Sequence, residues 1–454
     1  MGKRLAIAIA LIVVAGAVAV SLVLVRRPHE TAPNVILITV DTLRRDHLGC
    51  YGYQRPTSPS IDAFAQDALV FDNGYSHAST TRPSVATILT GLYPHECMVF
   101  INSDMLSSVL NTAAEYLRAA GYRTLGVSSN FVLDPNSGFE QGFDVFNNDL
   151  PEMEMVRGVP ERIADETTDA AIDLLKSNGR AKFFLWVHYQ DPHGPYTPPA
   201  PYDTLFIDRS LPPRRIAFNM SVSGEGGIPD YQRIDSDNDY NFYVAKYDGE
   251  IRYLDEHVGR LFEALKDMGL YDRSLIIFTA DHGEGMGEHD YYFAHGENLY
   301  NSLLRVPLIV RFGQSTPRGR HEQYAGLADV LPTILAATGI QAAGPLRGSD
   351  LLSPALQSMD IYSEMEGKYS LIKAGIKVIA DAEVERAYLF DLTNDPDEEH
   401  DVIGNPAYAA YLHPLAAELD SCMMTSLVGQ NVERAPANLT EEEKAKLRSL
   451  GYVH

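Results

Sequence analysis

Four short runs of large apolar residues, none of them alternating with polar ones, constrain this chain more than any other feature. They are Asn34-Val35-Ile36-Leu37-Ile38-Thr39-Val40, Phe183-Phe184-Leu185-Trp186-Val187, Ser274-Leu275-Ile276-Ile277-Phe278-Thr279 and Val306-Pro307-Leu308-Ile309-Val310. A strand with one wet face alternates, whereas a strand covered on both faces has no need to. The runs therefore predict strands of a mostly parallel sheet with helices on either side. Helix-like stretches do lie between or before them, at Leu110 to Ala120, Ala164 to Ser177 and Tyr243 to Met268, the last amphipathic and rich in charge. Strands alternating with helices give an α/β fold, an α/β/α sandwich. From about Leu346 the texture changes. Ser370 to Ile379 and Ala387 to Leu392 read as short antiparallel strands, and Thr440 to Leu450 as a helical tail. The expected organisation is a targeting segment over 1–27, a linker over 28–33, a main α/β domain over 34–345 and a small C-terminal α+β subdomain over 346–454. Within the main domain, Tyr202 to Asp239 is rich in Pro, Gly, Ser, Asp and Asn, and is expected to be a surface insertion near the mouth of the site.

The N-terminal segment speaks to location. Lys3 and Arg4 precede an apolar run from Leu5 to Val25, and Arg26-Arg27 closes it. Its length suits a bilayer-spanning helix, which needs roughly 20 residues; Ala17-Val18-Ala19 also fits a cleavage site. Either reading predicts a membrane-targeted chain, and the basic N-terminus favours a single-pass anchor with the rest outside the cytoplasm. The formal net charge of −24 over 454 residues argues against nucleic acid as a partner, because phosphate backbones require basic patches. Cys50, Cys97 and Cys422 contain no C-x-x-C pair, so a thiolate metal centre is not expected.

Ligands of open α/β sheets gather at the carboxyl ends of strands. Asp41 ends the first apolar run, and Asp281-His282-Gly283-Glu284 follows the third. Carboxylates and a neutral imidazole can share one divalent cation. The oxygen-rich set favours Mg, Ca or Mn, and Zn also accepts it. A further segment, Ser79-Thr80-Thr81-Arg82-Pro83-Ser84 followed by apolar residues up to Gly91, reads as the start of a helix. A hydroxyl there faces backbone N–H groups that favour anions. It is either a plain cap or, beside a metal, a nucleophile.

Taken in order, NVILITVDTLRRDHLGCYG (Asn34 to Gly52), TRPSVATILTGLYP (Thr81 to Pro94), SGFEQGFD (Ser137 to Asp144), Asp191-Pro192-His193-Gly194-Pro195-Tyr196, Asp281 to Val310 and YLFDLTNDP (Tyr388 to Pro396) resemble the sulfatase family of the alkaline-phosphatase superfamily. The resemblance implies an alkaline-phosphatase-like fold, one divalent metal ion and an anionic ester substrate. It makes Asp41, Asp281 and His282 metal ligands and places Thr81 at the nucleophile position, two residues before the proline, where it would also touch the metal. His193 matches a substrate-contacting histidine, and His295 falls near a position where relatives carry a substrate-binding lysine. Such cations would offset charge developing on the ester.

The departures narrow the chemistry. Formylglycine is made from Cys or Ser in a Cys/Ser-x-Pro-x-Arg context, and this chain has Thr81 and Val85 at those two positions. The family's Gly-Lys-Trp-His element is replaced by Gly126-Val127-Ser128-Ser129-Asn130-Phe131, and a second aspartate by Thr42. Threonine is the nucleophile in phosphoester-cleaving relatives, so cleavage or transfer of a phosphoester is expected. Arg82 and Asn130 are the candidate substrate ligands, and His188 with Asp191 could hold a second cation. The alternatives are a sulfuric ester hydrolase acting without formylglycine and an inactive member that binds anions or glycans.

Overall fold

Strand β1 (Asn34–Val40) is buried along its whole length at the centre of an eight-stranded sheet. The computed structural model describes residues 32–135, 137–154, 159–179, 181–315, 317–427 and 432–436. In chain order the sheet continues with β2 (Leu69–Tyr75), β3 (Arg123–Ser128), β4 (Val145–Asn147), β5 (Phe183–Tyr189), β6 (Ser274–Ala280), β7 (Leu308–Phe312) and β8 (Gly319–Gly326). Their spatial order is β8-β2-β7-β6-β1-β5-β3-β4. Only β7 runs antiparallel to its neighbours. The sheet is thus mostly parallel, as the non-alternating runs predict.

The helices that cover it include α1 (Pro59–Gln66), α2 (Thr81–Thr90), α3 (Ala113–Ala119), α4 (Ala164–Asn178), α5 (Tyr240–Asp267) and α6 (Val330–Thr338). Ile36, Leu37 and Ile38 of β1 and Leu185, Trp186 and Val187 of β5 are fully buried in one continuous core. Truncating any of the aliphatic ones to alanine would cost about 2–5 kcal/mol.

A second, four-stranded antiparallel sheet is built from β9 (Ile361–Met365), β10 (Lys368–Lys373), β11 (Ile376–Asp381) and β12 (Arg386–Asp391). The run Ser370 to Ile379 is therefore two strands. They are joined at Ala374 (φ 50°) and Gly375 (φ 79°), the pair of positive φ angles that a two-residue hairpin needs. Helix α7 (Ala409–Met424) covers this sheet with Leu415 and Leu419.

The apolar run from Leu5 to Val25 and the expected tail helix lie outside the described residues. Among the described residues, no helix is long and apolar enough to cross a membrane. Cys50, Cys97 and Cys422 are all free thiols.

Candidate active site

Strands β1 and β6 are parallel and paired in register, Val40 opposite Ala280. The residues that follow them, Asp41 and Asp281, consequently emerge side by side at the carboxyl edge of the sheet. Both are fully buried, as is His282. The ligand atoms of the three lie within 4.8 Å of one another. His282 Nε2 stands 3.6 Å from Asp41 Oδ1 and 3.7 Å from Asp281 Oδ2.

Each ligand is held from behind. His282 Nδ1–H donates to the Gly283 carbonyl at 3.0 Å, which leaves the Nε2 lone pair facing the carboxylates. Asp281 Oδ1 accepts from the backbone N–H groups of His282 and Thr42, at 2.7 and 3.3 Å. Thr42 reaches that position with φ at 53°, a strained value for a β-branched residue and one found where function over-determines the backbone. Asp41 Oδ2 accepts from Asn130 Nδ2. The atoms left over, Asp41 Oδ1 and Asp281 Oδ2, are buried and have no hydrogen-bond partner. Two buried carboxylate oxygens facing a neutral imidazole nitrogen suit a divalent cation and little else. Without one, burial pushes both carboxyls upward in pKa, and at Asp41 repulsion from Asp281 adds to it. Burial, followed by the nearby His295, pushes His282 well below its ordinary value.

Thr81 is the first residue of α2, a helix buried at all ten positions. Its Oγ1 lies 3.5 Å from His282 Nε2, against the carboxylate pair. Gly91, at φ 67°, closes the helix as expected. On the other side of His282 stands His295, with ring centroids 4.7 Å apart, and beyond it His193 at 5.0 Å. His295 Nδ1–H donates to Glu284 Oε1 at 3.1 Å, and Glu284 also accepts from the Tyr196 hydroxyl at 3.1 Å. His193 Nδ1–H donates to the Gly194 carbonyl at 2.7 Å. The structure thus brings Asp41, Thr81, His193, Asp281, His282 and His295 to one place. Glu284 and Tyr196, which orient His295, were not among the expected site residues. The only sequence signal for Glu284 was its place directly after Asp281-His282-Gly283.

Three expectations need correction. Arg82 does not face the site. Its guanidinium donates to the carbonyls of Val132 and Asp104, at 2.5 and 3.0 Å, and pairs with Asp134 at 3.5 Å, all within the protein. Its role is to lock α2 to the loops beneath. Arg82→Met should therefore lose about 3 kcal/mol of stability in denaturant unfolding, with KM of the folded fraction little changed. Asn130 is close to the metal cluster, yet its amide is committed. Nδ2 donates to Asp41, and Oδ1 accepts from Val132 N–H at 2.8 Å. It orients the Asp41 carboxylate and leaves neither amide atom facing a substrate. Asn130→Ala should lower metal affinity by about 10–100-fold in a calorimetric titration. His188 and Asp191 do not join a second cluster. His188 Nδ1 is hydrogen-bonded to Thr39 Oγ1 at 2.8 Å, and among the described residues only Asp41, Asp281 and His282 assemble as a metal-binding group.

The insertion over 202–239 braces the loop that carries His295. Tyr231 Oη and Gln232 Nε2 both donate to the Phe293 carbonyl at 3.1 Å, and Tyr292 N–H donates to Gly224 at 2.9 Å.

The chain is similar to known proteins over most of its length. Residues 33–340 match the family model described as Sulfatase. The multifunctional alkaline phosphatase superfamily protein PehA of Trinickia caryophylli is 27% identical over 491 residues, spanning 85% of this chain and 94% of its own. The phosphonate monoester hydrolase of Agrobacterium radiobacter superposes with a TM-score of 0.69 at 23% identity, covering 90% of this chain and 99% of its own. A protein whose structure is named as a complex with its substrate D-glucosamine-2-N,6-O-disulfate superposes at 0.73 and 20% identity, covering 86% and 97%. At these identities the two structures speak for the fold alone.

Proposed function

The chain belongs to the sulfatase family, as a hydrolase of sulfuric or phosphoric esters, and from that membership we propose that it cleaves a phosphoester with Thr81 as nucleophile. The observation that carries this reading is the Thr81 hydroxyl itself, buried at the first turn of α2 and 3.5 Å from His282 in the metal cluster. A threonine cannot become formylglycine, so a sulfatase mechanism through an aldehyde hydrate has no starting residue here. Names among the relatives include both sulfate-ester and phosphonate-ester enzymes, and the nucleophile favours phosphorus.

A divalent cation held by Asp41, Asp281 and His282 would lower the pKa of the Thr81 hydroxyl and offset charge on the ester oxygens. Thr81 Oγ1 releases its proton to solvent water, to be regained when the cycle closes, and attacks phosphorus from the helix N-terminus, where orphan N–H groups favour the anion. As the Oγ1–P bond forms, the P–O bond to the alcohol breaks, and His295 gives the departing oxygen a proton. Glu284 holds the imidazole in the tautomer and orientation for that transfer. Water then attacks phosphorus, returns a proton to His295, and breaks the P–Oγ1 bond to restore Thr81. We place this chemistry outside the cytoplasm on the strength of the apolar run at Leu5 to Val25 and its basic flanks.

The test is turnover of matched aryl phosphate, phosphodiester and sulfate substrates by the full-length protein with Mg, Mn, Ca or Zn. Phosphoester turnover in preference to sulfate supports the reading. Preference for the sulfate ester would instead establish a sulfatase that works through a threonine hydroxyl.

A further inference from the structure

Beyond Thr80 and His295 the site opens into a cavity of about 850 Å³ between the insertion, the loop after His295 and the C-terminal sheet. The two ends of this cavity differ in charge. At the inner end sits Asn102, almost wholly buried beside the nucleophile helix. Its Oδ1 accepts from Arg82 N–H at 2.8 Å, which fixes the amide, and its Nδ2 is buried without a partner. An amide N–H₂ can only donate, so this end lacks an acceptor, as an anionic oxygen would supply.

The outer wall has the opposite character. It carries Glu225, Glu297, Glu366, Asp381 and Glu383 against a single lysine, Lys368. Lys368 is already engaged, 3.6 Å from the Asp381 carboxylate and donating to the Glu297 carbonyl at 2.7 Å. Glu366 is paired with Arg434 at 2.9 Å. Among the described residues no lysine or arginine lies within ion-pair distance of Glu225, Glu297 or Glu383. Tyr231 and Tyr291 line the same wall, together with Tyr300, whose ring is stacked on His289, and Tyr388, whose ring carries the Arg386 guanidinium at 4.5 Å. Glu225, Glu366 and Glu383 are exposed and Glu297 and Asp381 half-buried, and carboxylates gathered along one concave wall give it a negative potential that attracts a cation. Aromatic faces add a second attraction for the same ligand, strongest for a weakly hydrated alkylammonium.

We propose that this cavity is the leaving-group subsite, and that it selects an alcohol bearing a permanent or protonated ammonium group. The preferred substrate is then an anionic phosphoester whose alcohol portion is cationic, its ester oxygens toward Asn102 and Thr81 and its ammonium among the carboxylates and tyrosines. This assignment rests on the ester-cleaving reading of the site.

Choline and 3,3-dimethylbutanol have the same shape and differ in the charge at the quaternary centre. Two measurements on the metal-loaded, full-length protein use that pair: kcat/KM for their phosphoesters, and calorimetric binding of the free alcohols. The expected result is at least a tenfold preference for the choline ester, carried by KM, and measurable binding of choline alone. Raising the salt concentration should shrink the preference. The double variant Glu297→Gln/Glu383→Gln, with folding checked by its melting curve, should bring the ratio of the two esters toward unity; Tyr231→Leu should lower it by a smaller factor. Equal turnover of the two esters would overturn the proposal, as would faster turnover of a neutral glycosyl phosphoester or failure of choline to bind. Choline binding with no turnover of either ester would uphold the subsite while removing the hydrolase reading.

Discussion

Thr81→Ala is expected to reduce turnover by at least about 10⁴-fold, in the range found when a covalent nucleophile is removed and binding groups remain. The substitution deletes one hydroxyl and one methyl from a fully buried position, so a stability loss of about 1 kcal/mol accompanies it. Metal binding should survive, because the carboxylates and the imidazole are all intact. That combination separates the nucleophile from the ligand set: a rate loss with the metal retained means the hydroxyl performs the chemistry. Thr81→Ser keeps the oxygen and should retain measurable turnover. Substantial activity in the alanine variant would instead mean that water attacks the ester directly.

The second large effect concerns Asp281, and it has opposite signs with and without metal. Asp281→Asn removes one of two buried carboxylates that face each other across the cluster. Metal affinity should fall by about 10³-fold or more, since a charged ligand is lost from a three-residue set, and turnover falls with it. The metal-free protein should become more stable. The sign follows from proton linkage. Burial holds the folded pKa values of both Asp41 and Asp281 above their ordinary ones, and repulsion from Asp281 adds to it at Asp41. Above about pH 4, where the unfolded chain has released these protons, the folded state still binds them. Stability of the metal-free protein therefore falls as pH rises from about 4 until the raised values are passed. Metal binding requires the deprotonated pair, so its stabilising effect grows over the same span. Thermal melts between pH 5 and 8 should show a metal-induced shift that widens with pH in the native protein and is absent in Asp281→Asn. A shift independent of pH would place the metal elsewhere.

Much of this site is legible in the sequence because its residues follow strands. A buried strand announces itself by composition, and in a parallel sheet its carboxyl end is where ligands collect. Asp41 and Asp281 could thus be paired without knowing the register of β1 and β6, which then aligned them. Arg82 shows the limit of that reasoning. It neighbours the nucleophile in sequence, but successive residues on a helix point about 100° apart, and this rotation carries its guanidinium to Val132, Asp104 and Asp134. Asn130, Glu284 and Tyr196 act through partners distant in the chain, and a single sequence gives no view of such pairs. Strand β2 was hidden because Asp72-Asn73-Gly74 reads as a turn. Strand β8 was hidden because it is an edge, exposed at its start and opened by Gly319-Arg320.

The most direct test of a phosphothreonine mechanism is to trap it. Full-length protein is mixed with metal and an aryl phosphoester, quenched in acid within the first turnovers, and its peptides are mapped by mass spectrometry. The account predicts a phosphoryl group on Thr81, absent from the Thr81→Ala variant and from protein stripped of metal. Continued turnover with Thr81 never phosphorylated, or with the label on another residue, would contradict it.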